Sequence, residues 1–382
     1  MSLTGSAFLV TVALCTVVVF VVSIVVWPYL AEPSPVKILA RAGMLLTVNF
    51  MVLLTAATQL NATFLFFADW TDLRGAISGT VTATTLTRGT SASGAAARAV
   101  KGQSAKADRV LPPLPADAAL NGGLITYTVT GPLSGLTGEI SVQLPPGYMN
   151  PVNAPVRYPV IETFGGYPAL SKQLIVVYKL GDVVARQSAA KRMRPALIVE
   201  PQLEFPRGAD TECVNGSPGN PQVETWLAQD VPNWVAHTFR VRTDRGSWAT
   251  LGVSAGGWCA AMVAMLHPAQ FAGAISLLGY FHPEFGPFYE PYPPGDPLGA
   301  RYDLVGLVRR SPPPVALWLE TSHADEISYP SSAALLKVAR PPLSIDALVL
   351  QHAGHYRSVA VGVLPQATAW LGANLPGFRA TP

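Results

Sequence analysis

The sequence predicts an α/β fold, a mainly parallel central sheet covered by helices on both faces, preceded by two N-terminal transmembrane helices. Three observations predict it. Short apolar runs of strand length recur from residue 123 to residue 350, helix-like stretches alternate with several of them, and the chain opens on two long uncharged segments. Alternating strands and helices imply parallel pairing with both faces of the sheet buried.

The opening segments come first. Only 13% of the 382 residues are charged and 49% are apolar, more apolar than an ordinary soluble chain. Phe8 to Trp27 is an unbroken run of 20 apolar or small polar residues. As a helix it spans about 30 Å, the thickness of a bilayer's hydrocarbon core. A second run, Ala42 to Ala68, is broken only by Asn49, Gln59 and Asn61 and ends among Phe64, Phe66, Phe67 and Trp70, aromatics suited to an interface. Residues 1–74 therefore read as a membrane-anchoring segment. A cleaved signal peptide is the competing reading for the first run, but the basic n-region is missing. Lys37 and Arg41 against Glu32 place the connection between the spans in the cytoplasm and the rest of the chain on the extracytoplasmic side of the cell membrane. Arg74, Arg88, Arg98 and Lys101 weigh the other way, less so with distance from the span. Residues 75–118, rich in Ala, Gly, Ser and Thr, read as a linker. The net charge of +3 and the lack of a basic stripe interleaved with aromatics exclude a nucleic-acid partner.

Residues 119–382 read as a catalytic domain. Gly123 to Thr130 and Leu136 to Leu144 form a hairpin around Gly131-Pro132 and Ser134-Gly135. Tyr158 to Phe164, Pro195 to Val199, Trp248 to Val253, Phe271 to Leu278, Val315 to Thr321 and Leu343 to Leu350 are the buried strands. Val223 to Phe239, Ala255 to His267, Ser331 to Ala339 and Val359 to Leu375 are the helices between and after them. In such sheets sites form at the carboxyl ends of the strands.

The sharpest motif is Gly252-Val253-Ser254-Ala255-Gly256, between a predicted strand and a predicted helix. A turn this tight strains the central residue and lifts its Oγ clear of the sheet, while flanking glycines let other chain segments approach. Ser254 is the predicted nucleophile of an α/β-hydrolase. The N–H of Ala255, at the helix N-terminus, is a predicted oxyanion donor. Serine needs a base, and in this arrangement the acid and then the histidine follow the serine in the chain. His355 lies in the loop after the last strand, with His352 as its nearest rival. Asp325 follows the preceding strand and is the predicted orienting acid, with Glu326 and then Glu320 as alternatives. Gly165-Gly166-Tyr167 follow an earlier strand, so the N–H of Gly166 or Tyr167 is the second predicted oxyanion donor.

Phe164-Gly165-Gly166-Tyr167, Gly252 through Gly257, His267-Pro268 through Phe271, and Ala353-Gly354-His355 together resemble the esterase D and mycolyltransferase family of α/β-hydrolases. The likeness runs from about Pro145 to Leu375. It implies an acyl-ester hydrolase or acyltransferase working through an acyl-Ser254 intermediate, with Ser254, Asp325 and His355 as triad. The chain departs from the pattern at Gly165-Gly166, where relatives often carry His-Gly, and mycolyltransferases place a Glu acid differently.

Cys15 sits in the first apolar run, and Cys213 and Cys259 could close a disulfide beside the nucleophile helix or stand as two thiols. Metal-ligand spacing of Cys and His is missing, so neither metal nor cofactor is expected. The aromatic and Pro-rich stretch Tyr280 to Tyr302 reads either as a cap lining an apolar acyl pocket or as a plain loop. The expected partners are the membrane and a small-molecule, lipid or glycan ester. The function expected first is a membrane-anchored carboxylesterase. A cell-envelope acyltransferase using the same triad is second, and a non-catalytic binding protein on the same fold third.

Overall fold

The computed structural model describes residues 6–64, 70, 74, 83–88, 111–115, 123–169, 171–286 and 289–380. Phe66 and Phe67 of the aromatic cluster and Phe288 of the aromatic stretch lie outside the described residues. The chain divides into two compact units. One comprises residues 1–82 together with Ser322–Glu326 and Leu350–Val359; the other holds the remainder.

In the first unit, α1 (Ser6–Val26) carries no charged residue. It ends in a turn, Trp27–Leu30, that begins with Trp27-Pro28. Helix α2 (Pro35–Phe64) starts on a proline, whose missing N–H costs nothing at the first helical position. Both helices are long and apolar enough to cross a membrane. They meet along hydroxyl-bearing faces: Thr16 Oγ1 lies 2.7 Å from Thr55 Oγ1 and donates to the Met51 carbonyl at 3.2 Å. Thr11, Ser23 and Thr47 donate their hydroxyls to carbonyls four residues back. The outward side chains, among them Leu14, Val17, Ile24, Leu46 and Leu53, are exposed. The second helix begins seven residues before the predicted run, because Lys37 and Arg41 sit within its first two turns.

The second unit is built on a nine-stranded sheet. Its strands are β1 (Ala83–Arg88), β2 (Leu124–Thr130), β3 (Thr137–Gln143), β4 (Val160–Phe164), β5 (Leu197–Pro201), β6 (Trp248–Val253), β7 (Gly273–Leu277), β8 (Ala316–Ser322) and β9 (Ser344–Leu350). They lie in the order β1-β9-β8-β7-β6-β4-β5-β3-β2. The predicted hairpin β2–β3 is antiparallel, from Leu124 opposite Gln143 to Thr130 opposite Thr137, and β3 joins β5 antiparallel. From β5 through β4, β6 and β7 to β8 every neighbour is parallel. Strands β4, β5, β6 and β7 are buried along their whole length, as double-sided cover demands. Among its described residues, the range read as a linker contains β1, whose Thr-rich sequence Ala-Thr-Thr-Leu-Thr-Arg suits an edge.

Helix α3 (Leu180–Ala189), which the sequence reading did not include, is ten residues long and buries Leu180, Val183 and Val184 on one face. The predicted helix from Val223 is a composite: a turn Val223–Thr225, a π-type segment Trp226–Asp230, then α4 (Val231–Thr238), with Pro232 just inside it. Helix α5 (Ala255–Leu266) is buried on nearly every side. Its small residues let it sit close to β6 and β7, and Trp258 and Met262 fill the remaining space. Helices α6 (Leu304–Arg310), α7 (Tyr329–Val338) and α8 (Arg357–Asn374) complete the cover.

Candidate active site

The nucleophile turn belongs to the sheet unit. Ser254 stands between β6 and α5 with φ 57° and ψ −124°, a backbone conformation that side chains other than hydrogen rarely adopt. Its N–H donates to the Leu277 carbonyl at 2.8 Å and its carbonyl accepts from Trp258 N–H at 3.1 Å, so the strain is pinned from both sides. The glycines around it are required by space. A Cβ on Gly252 would lie 1.8 Å from the Gly256 carbonyl oxygen, and one on Gly256 would lie 2.1 Å from that of Phe164. The Gly165-Gly166 segment therefore presses directly on the turn. A Cβ on Gly166 would come 3.1 Å from the Val253 oxygen and 3.2 Å from Ser254 Cβ. Gly166 and Ala255 thus stand beside Ser254, where the sequence put them.

Asp325 and His355, the predicted acid and base, belong to the other unit, where the structure brings the two together. His355 Nδ1 lies 2.9 Å from Asp325 Oδ2, and Asp325 is fully buried while the imidazole is slightly exposed. With Nδ1–H donated to the carboxylate, Nε2 is the nitrogen able to take a proton. Ser322 organises both loops through its hydroxyl: it accepts from Ala353 N–H at 3.0 Å and from Ala324 N–H at 3.3 Å. The Asp325 N–H donates to the Ser322 carbonyl, and His323 N–H to that of Leu350. The rivals His352 and Glu326 are exposed. Glu320 is buried within β8, and its Oε2 accepts from Leu278 N–H at 3.3 Å in the turn that follows β7.

Other histidines and carboxylates have structural work. His267, read as a helix-end residue, lies with Nε2 2.6 Å from Glu224 Oε1. Glu224 also binds Arg301 and the Tyr302 hydroxyl, the latter at 2.6 Å. Burial alone would raise this carboxyl, but those hydrogen bonds and the arginine charge outweigh it and hold it at about 2. Tyr302 in turn accepts from Asn215 N–H at 2.8 Å. The aromatic stretch is therefore partly core: Phe281 and Tyr302 are buried, and Tyr292 stacks on Tyr302 with ring centres 6.1 Å apart.

Cys213 and Cys259 form a disulfide, tying the 210–216 loop to α5. Glu212 and Cys213 are consecutive residues with positive φ, 46° and 57°. Trp258 Nε1 holds the Glu212 carbonyl at 2.8 Å, and the Tyr280 hydroxyl donates to Glu212 Oε1 at 2.6 Å. Sequence reasoning passed over Glu212 because its partners are distant in the chain; only the adjoining Cys213 marked the loop. Among the described residues, no group of His, Cys, Asp and Glu has the arrangement of a metal site.

Residues 136–344 match the model of a family named Esterase, described as "Putative esterase", which is more than half of the chain. The chain belongs to this esterase family. Gly166, Ser254 and Asp325 fall inside the matched stretch, and His355 lies beyond its end. Solved structures with the same fold include a ferulic acid esterase, 18% identical, with a TM-score of 0.55 over 65% of this chain and 96% of the other. An S-formylglutathione hydrolase from Agrobacterium tumefaciens is 13% identical with a TM-score of 0.55, covering 65% of this chain and 94% of its own. A fluorophosphonate-binding serine hydrolase from Staphylococcus aureus is 15% identical, with a TM-score of 0.50 over 65% and 97%. Identities this low speak for the fold alone. An uncharacterized protein of Corynebacterium glutamicum is 24% identical over 143 residues, 37% of this chain and 33% of that one, so the matched stretch spans about a third of that relative.

Proposed function

We propose that this member of the esterase family is a membrane-anchored, extracytoplasmic serine esterase that cleaves carboxylic esters through an acyl-Ser254 intermediate. The observation that carries the reading is Ser254 itself: a strained serine at the head of a buried helix, flanked by Gly252 and Gly256, where an added Cβ would collide with backbone. A backbone strain of about 1–3 kcal/mol is the kind a nucleophile turn sustains.

In this reading His355 Nε2 takes the proton of Ser254 Oγ as Oγ bonds to the ester carbonyl carbon. Asp325 keeps Nδ1–H in place and stabilises the imidazolium. The N–H groups of Ala255 and of Gly166 or Tyr167 hold the oxygen that becomes negative. The C–O bond to the alcohol breaks as His355 returns the proton to it, and water then repeats the sequence on the acyl-serine. Chain order supports the assignment: Asp325 follows β8 and His355 follows β9, each just past a strand's carboxyl end, as Ser254 follows β6. The membrane location rests on the length and apolar character of α1 and α2. The outward placement rests on the disulfide and on the Lys37 and Arg41 pair in the connection.

The test is covalent labelling of the full chain in detergent by a fluorophosphonate, wild type beside Ser254→Ala. Labelling of the wild type alone is expected; equal labelling of both would refute Ser254. Product analysis with an added acceptor alcohol then separates hydrolysis from acyl transfer.

A further inference from the structure

The Gly165-Gly166 backbone leans on the Ser254 turn and is backed by a second short segment. The Gly165 carbonyl lies so near Gly256 that a Cβ on Gly256 would come 2.5 Å from its oxygen. At its Cα, Gly165 meets Gln173 instead: a Cβ on Gly165 would lie 2.4 Å from Gln173 Oε1. That oxygen is buried and, among the described residues, has no hydrogen-bond partner, so packing and the backbone that carries it set its place. Gln173 opens a π-type turn, Gln173–Val177, flanked by Lys172 and Lys179 in left-handed backbone, φ 62° and 53°. Residues other than glycine disfavour that conformation, and it persists where the surroundings impose it. Glu200, on β5 and buried, supplies the constraint. Its Oε1 accepts from Leu174 N–H and its Oε2 from Ile175 N–H, both at 3.0 Å. The first N–H groups of a helical turn lack partners within it, and Leu174 and Ile175 are both buried, so an acceptor from elsewhere is required. The sheet thus grips the turn, and the turn presses its first side chain against Gly165.

We propose that Gln173 and Glu200 are positioning residues for the ester reaction, holding Gly165-Gly166 at the distance from Ser254 at which this backbone can donate to the developing oxyanion. The proposal rests on the esterase reading, since it adds residues to that same site. Neither side chain touches the reacting atoms; each acts through Gly165. Two consecutive glycines leave the backbone soft at the point where a donor must be fixed, so the stiffness has to come from outside them. The demand is steep: losing an oxyanion donor costs about 10²–10³ in kcat, and a misplacement of about 1 Å costs about 10².

The experiment measures kcat and KM of the full chain in a neutral detergent on a chromogenic ester, with kcat counted per serine labelled to completion by a fluorophosphonate. Counting per labelled serine removes any loss of folded protein from the comparison. Gln173→Ala and Glu200→Gln are each expected to lower kcat about tenfold with KM kept within about twofold, the pattern of an interaction made in the transition state. Gly165→Ala alone, forced against Gln173, is expected to lose about 10²-fold in kcat. In the chain carrying both Gly165→Ala and Gln173→Ala, the new Cβ meets the Cβ kept at position 173 at 3.5 Å, an ordinary contact. Its kcat is expected to exceed that of Gly165→Ala by at least about tenfold, a coupling that independent sites do not show. An unchanged kcat in either single variant, a loss carried by KM, or a double variant as impaired as the product of its parents would overturn the proposal. If Gly165→Ala does not accumulate, Gln173→Ala and Glu200→Gln decide it. Failure of the esterase reading shows separately, as absence of fluorophosphonate labelling in the wild type.

Discussion

His355 Nδ1 stands 2.9 Å from the buried Asp325 Oδ2, while the neighbouring carboxylate of Glu326 is exposed. In the proposed triad this pair would fix which ring nitrogen carries the proton, the acid acting through the tautomer it imposes. Asp325→Asn is expected to lower kcat by about three to four orders of magnitude with little change in KM, and Glu326→Gln to change neither. Steady-state kinetics on a chromogenic ester check both. A large loss in Glu326→Gln alone would move the acid by one residue. His355→Ala is expected to abolish turnover where His352→Ala retains it.

Gly166 can be tested by a single methyl group. The Cβ of Gly166→Ala would lie 3.2 Å from Ser254 Cβ, a contact that small shifts relieve. The variant is expected to fold with nearly unchanged thermal stability and to lose about 10²-fold in kcat, as for a displaced oxyanion donor. Gly252→Ala, with its Cβ 1.8 Å from the Gly256 oxygen, is expected to fail to accumulate as folded protein.

Glu200 makes stability depend on pH near neutrality. Burial raises its carboxyl to about 7, against hydrogen bonds from Leu174 and Ile175 that act to lower it. A carboxyl raised in the folded state contributes stability that is fully present below its unfolded value of about 4.5 and lost as pH rises through about 7. Thermal midpoints are therefore expected to fall between about pH 5 and 8, and Glu200→Gln to flatten that slope. An unchanged slope in Glu200→Gln would remove Glu200 as its cause.

Glu224 has the opposite sign. Held at about 2, it contributes stability above about pH 4.5 that disappears as pH falls toward 2. The contribution of this buried carboxylate is on the order of 3 kcal/mol. Acid titration of the fluorescence midpoint is expected to show the loss in the wild type, and Glu224→Gln to be destabilised at pH 7 yet less sensitive to acid.

The disulfide closes a loop of 46 residues in sequence. Its removal in a Cys213→Ser, Cys259→Ser chain is expected to cost about 2–4 kcal/mol in denaturant unfolding. A midpoint equal to that of the oxidised wild type would show the loop to be held by Trp258 and Tyr280 alone.

Much of this molecule was legible because its signals are local. Strands β4, β6 and β8 announce themselves as apolar runs, and the Gly252–Gly256 turn is written in five consecutive residues. Chain order is what pointed to Asp325 and His355, each after a particular strand, and the structure places the two side chains 2.9 Å apart. What stayed hidden depends on distant partners. Strand β1 gains its identity from the sheet edge it occupies, α3 from the one face it buries, and Glu212 from Tyr280, 68 residues away. Glu224 likewise looks like any helix-start acid until His267, Arg301 and Tyr302 close around it.

The segments that carry Asp325 and His355 fall in the same compact unit as α1 and α2, and Ser254 falls in the other. A fragment trimmed to begin after α2, the customary way to make such a chain soluble, would keep the serine and its whole sheet yet strip the acid and the base of the rest of their unit. Silence from such a fragment would therefore describe the trimming as readily as the protein.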